Sequence, residues 1–279
     1  MSMRNAIGFC GGQIGDAIVM TVAIRAFKQQ YPHARFTFAL AEKYKDVMPL
    51  FYQHELIDDY HVWDGWDATW PSVADRMYCY FRGFNHVYNA LAPHSRPDWY
   101  NHHTYGEEAC LRFGLPVPDD RSYHLNRWFP LWDGYKRTVT LSLFPSAGQV
   151  HKTMPVEECE QLCVALKGLG YQPVQLGGKY EYVKLKNALA PHLSILEATK
   201  LMLSSALHIT ADTAFSSIAA AYKHPVVGFY GINYPDMTDC FSHLPPNPNA
   251  LYIKNRDPQS VKADEVIALA RVMGELQPT

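Results

Sequence analysis

The residues best able to do chemistry gather where the chain changes character. Between the apolar run Ala6 to Cys10 and a helical pattern from Ala17 to Gln30 lies Gly11-Gly12-Gln13-Ile14-Gly15-Asp16, a glycine-rich turn that ends on a carboxylate. Glycines at 12 and 15 let a ligand approach the backbone, and a helix N-terminus favours an anion beside it. Asp16 therefore reads as a reacting carboxylate at a ligand's edge, or as an N-cap, a position Asp prefers. The spacing is not G-x-G-x-x-G, so a dinucleotide pocket is not implied. Cys159 and Cys163 are four apart, but Leu162 and Leu166 complete the same stripe, which predicts core packing rather than metal binding. His102 and His103 cannot share a helix face, whereas His103 and Glu107 can.

These groups need a scaffold, and the chain supplies an alternating one. A strand at Ala6 to Cys10, a helix to Gln30 and a strand at Arg35 to Leu40 open it as βαβ. A second series starts at Thr138 to Phe144, with a helix near Val156 to Lys167 that has Pro155 at its start and Gly168 and Gly170 at its stop. A strand at Gln172 to Leu176 follows. Ala206 to Ala211 and Pro225 to Tyr230 read as buried strands around a helix from Thr213 to Tyr222, and Val261 to Leu276 as a closing helix. Leu125 to Arg137 breaks both periodicities and reads as a connection, so the expected domains are 1–130 and 131–279.

With 279 residues, 48% hydrophobic and 19% charged, the chain can bury two cores. A net charge of −2 gives no global attraction to nucleic acid or anionic lipid. No apolar run of about 18 residues and no signal-peptide pattern occurs, so a cytoplasmic protein without a membrane segment is expected. The six cysteines form no C-x-x-C pair and are expected reduced. Trp63, Trp66, Trp70, Trp99, Trp128 and Trp132 all lie in the first half, as stacking surfaces for a sugar or base, or as core. Arg82, Arg96, Arg112 and Arg121 lie there too and suit phosphates, whether on a carbohydrate or on a nucleic acid, and their spacing does not select between these.

Four blocks, in order, resemble glycosyltransferase family 9, which includes the ADP-heptose:lipopolysaccharide heptosyltransferases. Gly15-Asp16-Ala17-Ile18-Val19-Met20-Thr21 with Ile24-Arg25-Ala26-Phe27-Lys28 and Tyr31-Pro32 is similar to the family's opening loop and helix. Phe144-Pro145-Ser146-Ala147-Gly148, with Lys152 and Pro155, resembles its phosphate-proximal loop and lysine. Leu176-Gly177-Gly178 with Glu181 resembles the segment near the donor's nucleoside, and Asp212-Thr213-Ala214 through Gly231 its aspartate-threonine-glycine motif and following strand. Ala214, Phe215, Ser217 and Val22 depart from the family's usual glycine, proline, histidine and proline, and Phe215 and Ser217 are expected to reshape the donor pocket.

The resemblance implies a GT-B architecture, two Rossmann-like α/β domains with parallel sheets facing across a cleft, acceptor on the first and nucleotide-diphosphate sugar on the second. Asp16, Ser146, Lys152 and Asp212 all fall beyond carboxyl ends of strands, where ligands of open α/β sheets bind. An acceptor hydroxyl would attack the anomeric carbon and invert it. Asp16 would take the proton as general base; its reference pKa of about 3.9 requires desolvation or a late proton transfer. Lys152, the amides of Ser146, Ala147 and Gly148, and the hydroxyls of Thr213 and Ser216 would steady the leaving diphosphate. Asp212 would touch the donor sugar or cap a helix at Thr213, and Glu181 would face the nucleoside or join a surface cluster with Lys179, Lys184 and Lys186. No metal and no cofactor are expected, since an Asp-x-Asp element is lacking and Asp64-Gly65-Trp66-Asp67 has the wrong spacing. The acceptor would be a lipopolysaccharide core or similar carbohydrate. A noncatalytic nucleotide-sugar-binding module, or a transferase acting on a modified base in DNA, are the alternatives.

Overall fold

The apolar N-terminal run forms β1 (Asn5–Cys10), and α1 (Ile14–Gln30) follows it, beginning before the expected Ala17 because Gly15 enters the first helical turn. A computed structural model of the chain describes residues 5–10, 14–52, 54–63, 86–89, 103–125, 127–145, 152–177, 183–232, 240, 243–274 and 276. The chain divides into two units, Met1–Trp128 and Phe129–Thr279.

In the first unit β2 (Arg35–Ala41), β3 (Asp59–Trp63) and β4 (His86–Asn89) join β1 in a wholly parallel sheet of order β3-β2-β1-β4. Parallel strands are covered on both faces, and β2 shows it: Phe36, Phe38, Ala39 and Leu40 are all buried. Residues 17–24 of α1 are buried without interruption, so this helix is enclosed nearly all round and its polar positions stand out. A second helix, α2 (Tyr105–Arg112), packs against it. Its first turn is a capping box, Thr104 Oγ1 accepting from the Glu107 amide and Glu107 Oε2 from the Thr104 amide.

The second unit runs β5 (Thr138–Ser142), α3 (Val156–Gly168), β6 (Gln172–Gln175), α4 (Ile195–Ser204), β7 (Leu207–Thr210), α5 (Ala214–Ala221), β8 (Val226–Tyr230), β9 (Ala250–Lys254) and α6 (Ala263–Val272). Its sheet is also parallel, in the order β6-β5-β7-β8-β9, and every residue of β5, β7 and β8 is buried. Helix α3 buries Cys159, Leu162, Cys163 and Leu166 along one stripe, and burial pushes the Cys163 thiol up to about 12. Both cysteines are core groups. Gly170, at φ 80°, takes the left-handed turn that returns the chain to β6. The Glu158 carboxylate ties α3 to the start of α6 by accepting from the Ala263 amide and Lys262 Nζ. The closing helix is shorter than the expected 261–276, because a 3-10 turn at Pro258–Ser260 precedes it.

Candidate active site

Parallel sheets bind ligands beyond their carboxyl ends, at the point where successive connections diverge to opposite sides. In the first unit that point lies between β1 and β4, and α1, leaving the end of β1, carries Asp16 in its first turn. Because the helix begins at Ile14, Asp16 is inside it, and the N-cap reading is withdrawn. Asp16, Val19 and Met20, spaced for one helix face, line a cavity of about 30 Å³ whose other wall is Tyr105, Glu108, Ala109 and Arg112, one face of α2. The two helices come this close because α2 has glycine at 106, where an added Cβ would lie 2.9 Å from Val22 Cγ2. Burial is strong enough there to push the Glu108 carboxyl up to about 8, although the Arg112 guanidinium acts the other way.

The second unit diverges between β5 and β7. Lys152, from the connection after β5, donates to Asp212 Oδ2 at 2.7 Å, just beyond the end of β7. His243 Nδ1 lies 3.9 Å from the same oxygen. Thr213, not Asp212, is the N-cap of α5, and its side chain makes no capping bond. The helix-cap reading of Asp212 is therefore withdrawn, and the carboxylate acts on Lys152 instead. Thr213 Oγ1 meets Ser142 Oγ at 2.9 Å and Thr210 Oγ1 at 3.0 Å, a hydroxyl cluster joining the tips of β5 and β7. The Ser216 hydroxyl, buried, donates to the Thr213 carbonyl at 2.6 Å, and Ala214 opens α5.

The structure places Gly15 and Asp16 in the first turn of α1 after β1, Lys152 in the connection after β5, and Asp212, Thr213, Ala214 and Ser216 between the end of β7 and the first turn of α5. Gly12, Ser146, Ala147, Gly148 and Glu181 lie outside the described residues, as do Arg82, Arg96, Trp66, Trp70, Trp99 and the Asp64 to Asp67 turn. Phe215 and Ser217 are both buried, with the Phe215 ring 6.1 Å from that of His208. Arg121 pairs with Glu107, while Arg112 lines the Asp16 cavity. Glu108 and His243 were missed. Glu108 was visible only as part of a charged run, and His243 reaches Asp212 through tertiary folding alone. Among the described residues no three His, Cys, Asp or Glu side chains gather as a metal-ligand set, and no helix is long and apolar enough to cross a membrane.

Residues 134–267 match the family model of glycosyltransferase family 9 (heptosyltransferase). No curated protein matches the sequence. Among solved structures, the glycosyl transferase family 9 protein of Veillonella parvula is similar with a TM-score of 0.70 at 14% identity, over 98% of this chain and 98% of that one. The E. coli ADP-heptose lipopolysaccharide heptosyltransferase II gives 0.70 at 14% identity, over 97% and 98% of the two chains. An E. coli heptosyltransferase, WaaC, holding ADP-2-deoxy-2-fluoro heptose gives 0.66 at 13%, over 96% and 99%. Such identities speak for the fold, which is of the GT-B type along the whole chain. With the family match over residues 134–267 and that fold throughout, the chain is similar in its second half to glycosyltransferase family 9 (heptosyltransferase) and shares the GT-B-type fold of the solved members.

Proposed function

We propose that the protein moves heptose or a related sugar from a nucleotide-diphosphate donor, ADP-heptose in the first instance, to a hydroxyl of a lipopolysaccharide-core acceptor, with inversion and without a metal. The observation that carries this reading is the Lys152–Asp212 pair beyond β5 and β7, an oriented cation at the strand ends of the family-matched unit. The second unit then takes the donor and the first the acceptor. Lys152 opposes the charge that grows on the leaving diphosphate, held in place by Asp212. The amides of the 146–148 loop and the hydroxyls of Thr213 and Ser216 serve the phosphates beside Ala214, and Glu181 faces the nucleoside. Asp16 removes the acceptor proton. The reaction belongs in the cytoplasm, where nucleotide sugars are available. The relatives named above give a DNA acceptor no support.

The test is Asp16→Asn, assayed for ADP release from ADP-heptose with a deacylated lipopolysaccharide core, with excess EDTA present throughout. Loss of a general base is expected to lower kcat by at least about 10²-fold, with ADP affinity unchanged by calorimetry. An active Asn variant removes Asp16 as base, and inhibition by EDTA removes the metal-free mechanism. Nucleotide binding by a wild type that transfers to no acceptor would instead favour a binding module.

A further inference from the structure

The Asp16 cavity holds a second carboxyl group. Glu108 is 1% exposed, and both of its oxygens are buried without a hydrogen-bond partner. Among the described residues no other carboxyl group is left in that state. The groups that face it across the cavity are Asp16 from α1 and Tyr105 and Arg112 from its own helix; Val19, Met20 and Ala109 complete the lining and offer it nothing polar. An unpaired buried carboxyl opposes folding, so an aliphatic side chain would serve α2 better if packing were the only demand. The cavity, about 30 Å³, has room for a water or a hydroxyl group beside these side chains.

The geometry points to Glu108 as an acceptor-positioning group: it hydrogen-bonds a second hydroxyl, neighbouring the one whose proton Asp16 removes, and so selects acceptors that carry a vicinal diol. This deepens the transferase reading and rests on its placement of Asp16 as base. The raised pKa of Glu108, about 8, fits the role. At neutral pH the group is mainly a carboxylic acid, with one donor and one acceptor to offer a hydroxyl. It also adds no second negative charge to the cavity of a working base.

Full-length Glu108→Leu and Glu108→Gln are compared with wild type and Asp16→Asn, using ADP-heptose and a deacylated lipopolysaccharide core as the probe acceptor. Leu removes the unpaired carboxyl and is expected to raise Tm by about 2–5 °C, yet to raise the acceptor KM about tenfold with a smaller change in kcat. Gln keeps a neutral donor and acceptor and should rescue most of that loss. It should also remove the rise in wild-type acceptor KM expected above about pH 8. A lower Tm with unchanged KM in the Leu variant makes Glu108 structural and overturns the proposal, as does a Gln variant no better than Leu. An active Asp16→Asn alongside a Leu-raised KM removes the base and keeps the positioning group. Failure of the wild type to use this acceptor refutes the acceptor class proposed above, and the sign of the Leu Tm shift then decides Glu108 alone.

Discussion

Lowering the pH from 7 to 5 should loosen the second unit through two buried imidazoles. His208, on β7, is fully buried, with Nδ1 3.0 Å from Thr140 Oγ1. His224 is buried nearby, with Nε2 3.5 Å from Ser205 Oγ, which itself lies 3.3 Å from Thr140 Oγ1. Burial, and for His208 the neighbouring His224, holds the two rings down to about 3 and about 4. Both rings thus stay neutral in the fold at pH 5, while in the unfolded chain they protonate below about 6.5. The unfolded state then binds the extra protons, so stability is fully present above pH 6.5 and falls as the pH drops. Each ring withdraws about 1.4 kcal/mol per pH unit, or about 4 kcal/mol for the pair between 6.5 and 5. That is a large share of a typical total of about 5–15 kcal/mol. Glu158, Glu160 and Glu197, whose carboxyls are held low by hydrogen bonds from neighbouring groups although burial opposes this most strongly at Glu160, act only at more acid pH.

Hydrogen exchange of β5 and β7, corrected for intrinsic rates, reads this loss directly. His208→Asn, which can keep the bond to Thr140 without titrating, should be less stable at pH 7 by about 1–3 kcal/mol through the lost ring volume. Its slope between pH 6.5 and 5 should be shallower by about 1.4 kcal/mol per unit. Equal slopes in the variant and wild type would refute the assignment of acid sensitivity to His208.

Lys152→Met should weaken ADP binding about 10- to 100-fold by calorimetry. Asp212→Asn releases Lys152 from a partly exposed pair worth about 0.5–1 kcal/mol and should tighten ADP binding about two- to fivefold; equal weakening in both variants would mean that Asp212 contacts the nucleotide itself. Gly228→Ala places a Cβ 2.8 Å from Tyr252 Cδ1 and 2.9 Å from Tyr230 Cε2 in the middle of β8. Urea unfolding should show a loss of about 1–3 kcal/mol, and an unchanged midpoint would show that the two rings move aside freely.

The alternating β and α pattern was legible because parallel strands buried on both faces read as plain apolar runs, bounded here by Gly11, Pro155, Gly168 and Gly170. Helices α2 and α4 went unread although Thr104-x-x-Glu107 and Ser194-x-x-Glu197 are capping boxes, each closed by both of its hydrogen bonds. Their short apolar stripes were the weaker signal, and the boxes were the stronger one. Strand β9 is only half-buried at the sheet edge and ends on Lys254, so it lacks the apolar run that marked its neighbours. At the site, Asp16 and Lys152 could be named from local sequence. The pairing of Lys152 with a carboxylate 60 residues on could not, because it depends on β5 lying beside β7. Glu108 was hidden for a related reason: Glu107, Glu108 and Arg112 look like a solvated face, and the burial of both glutamates, Glu108 at 1% exposure beneath the approach of α1 over Gly106, comes only from tertiary packing.

The two units should also respond to pH with opposite signs, and this follows from which groups each has enclosed. In the first unit the folded state holds a proton on Glu108 up to about pH 8, whereas the unfolded chain releases it near 4.5, so this group withdraws stability as the pH rises between those values. His54, buried and held down to about 4 chiefly by desolvation, withdraws stability as the pH falls from 6.5. Between about 4.5 and 6.5 the two slopes oppose each other, each about 1.4 kcal/mol per unit, and the first unit should be nearly flat. From 6.5 to 8 Glu108 acts alone and the first unit should weaken, while the second, with His208 and His224 neutral in both states, should hold. Hydrogen exchange of α1 and α2 against β5 and β7 over pH 5 to 8 separates the two. Glu108→Gln should remove the alkaline slope of the first unit and leave the acid slope of the second untouched, and parallel pH dependences in the two units would show that the buried groups do not govern either.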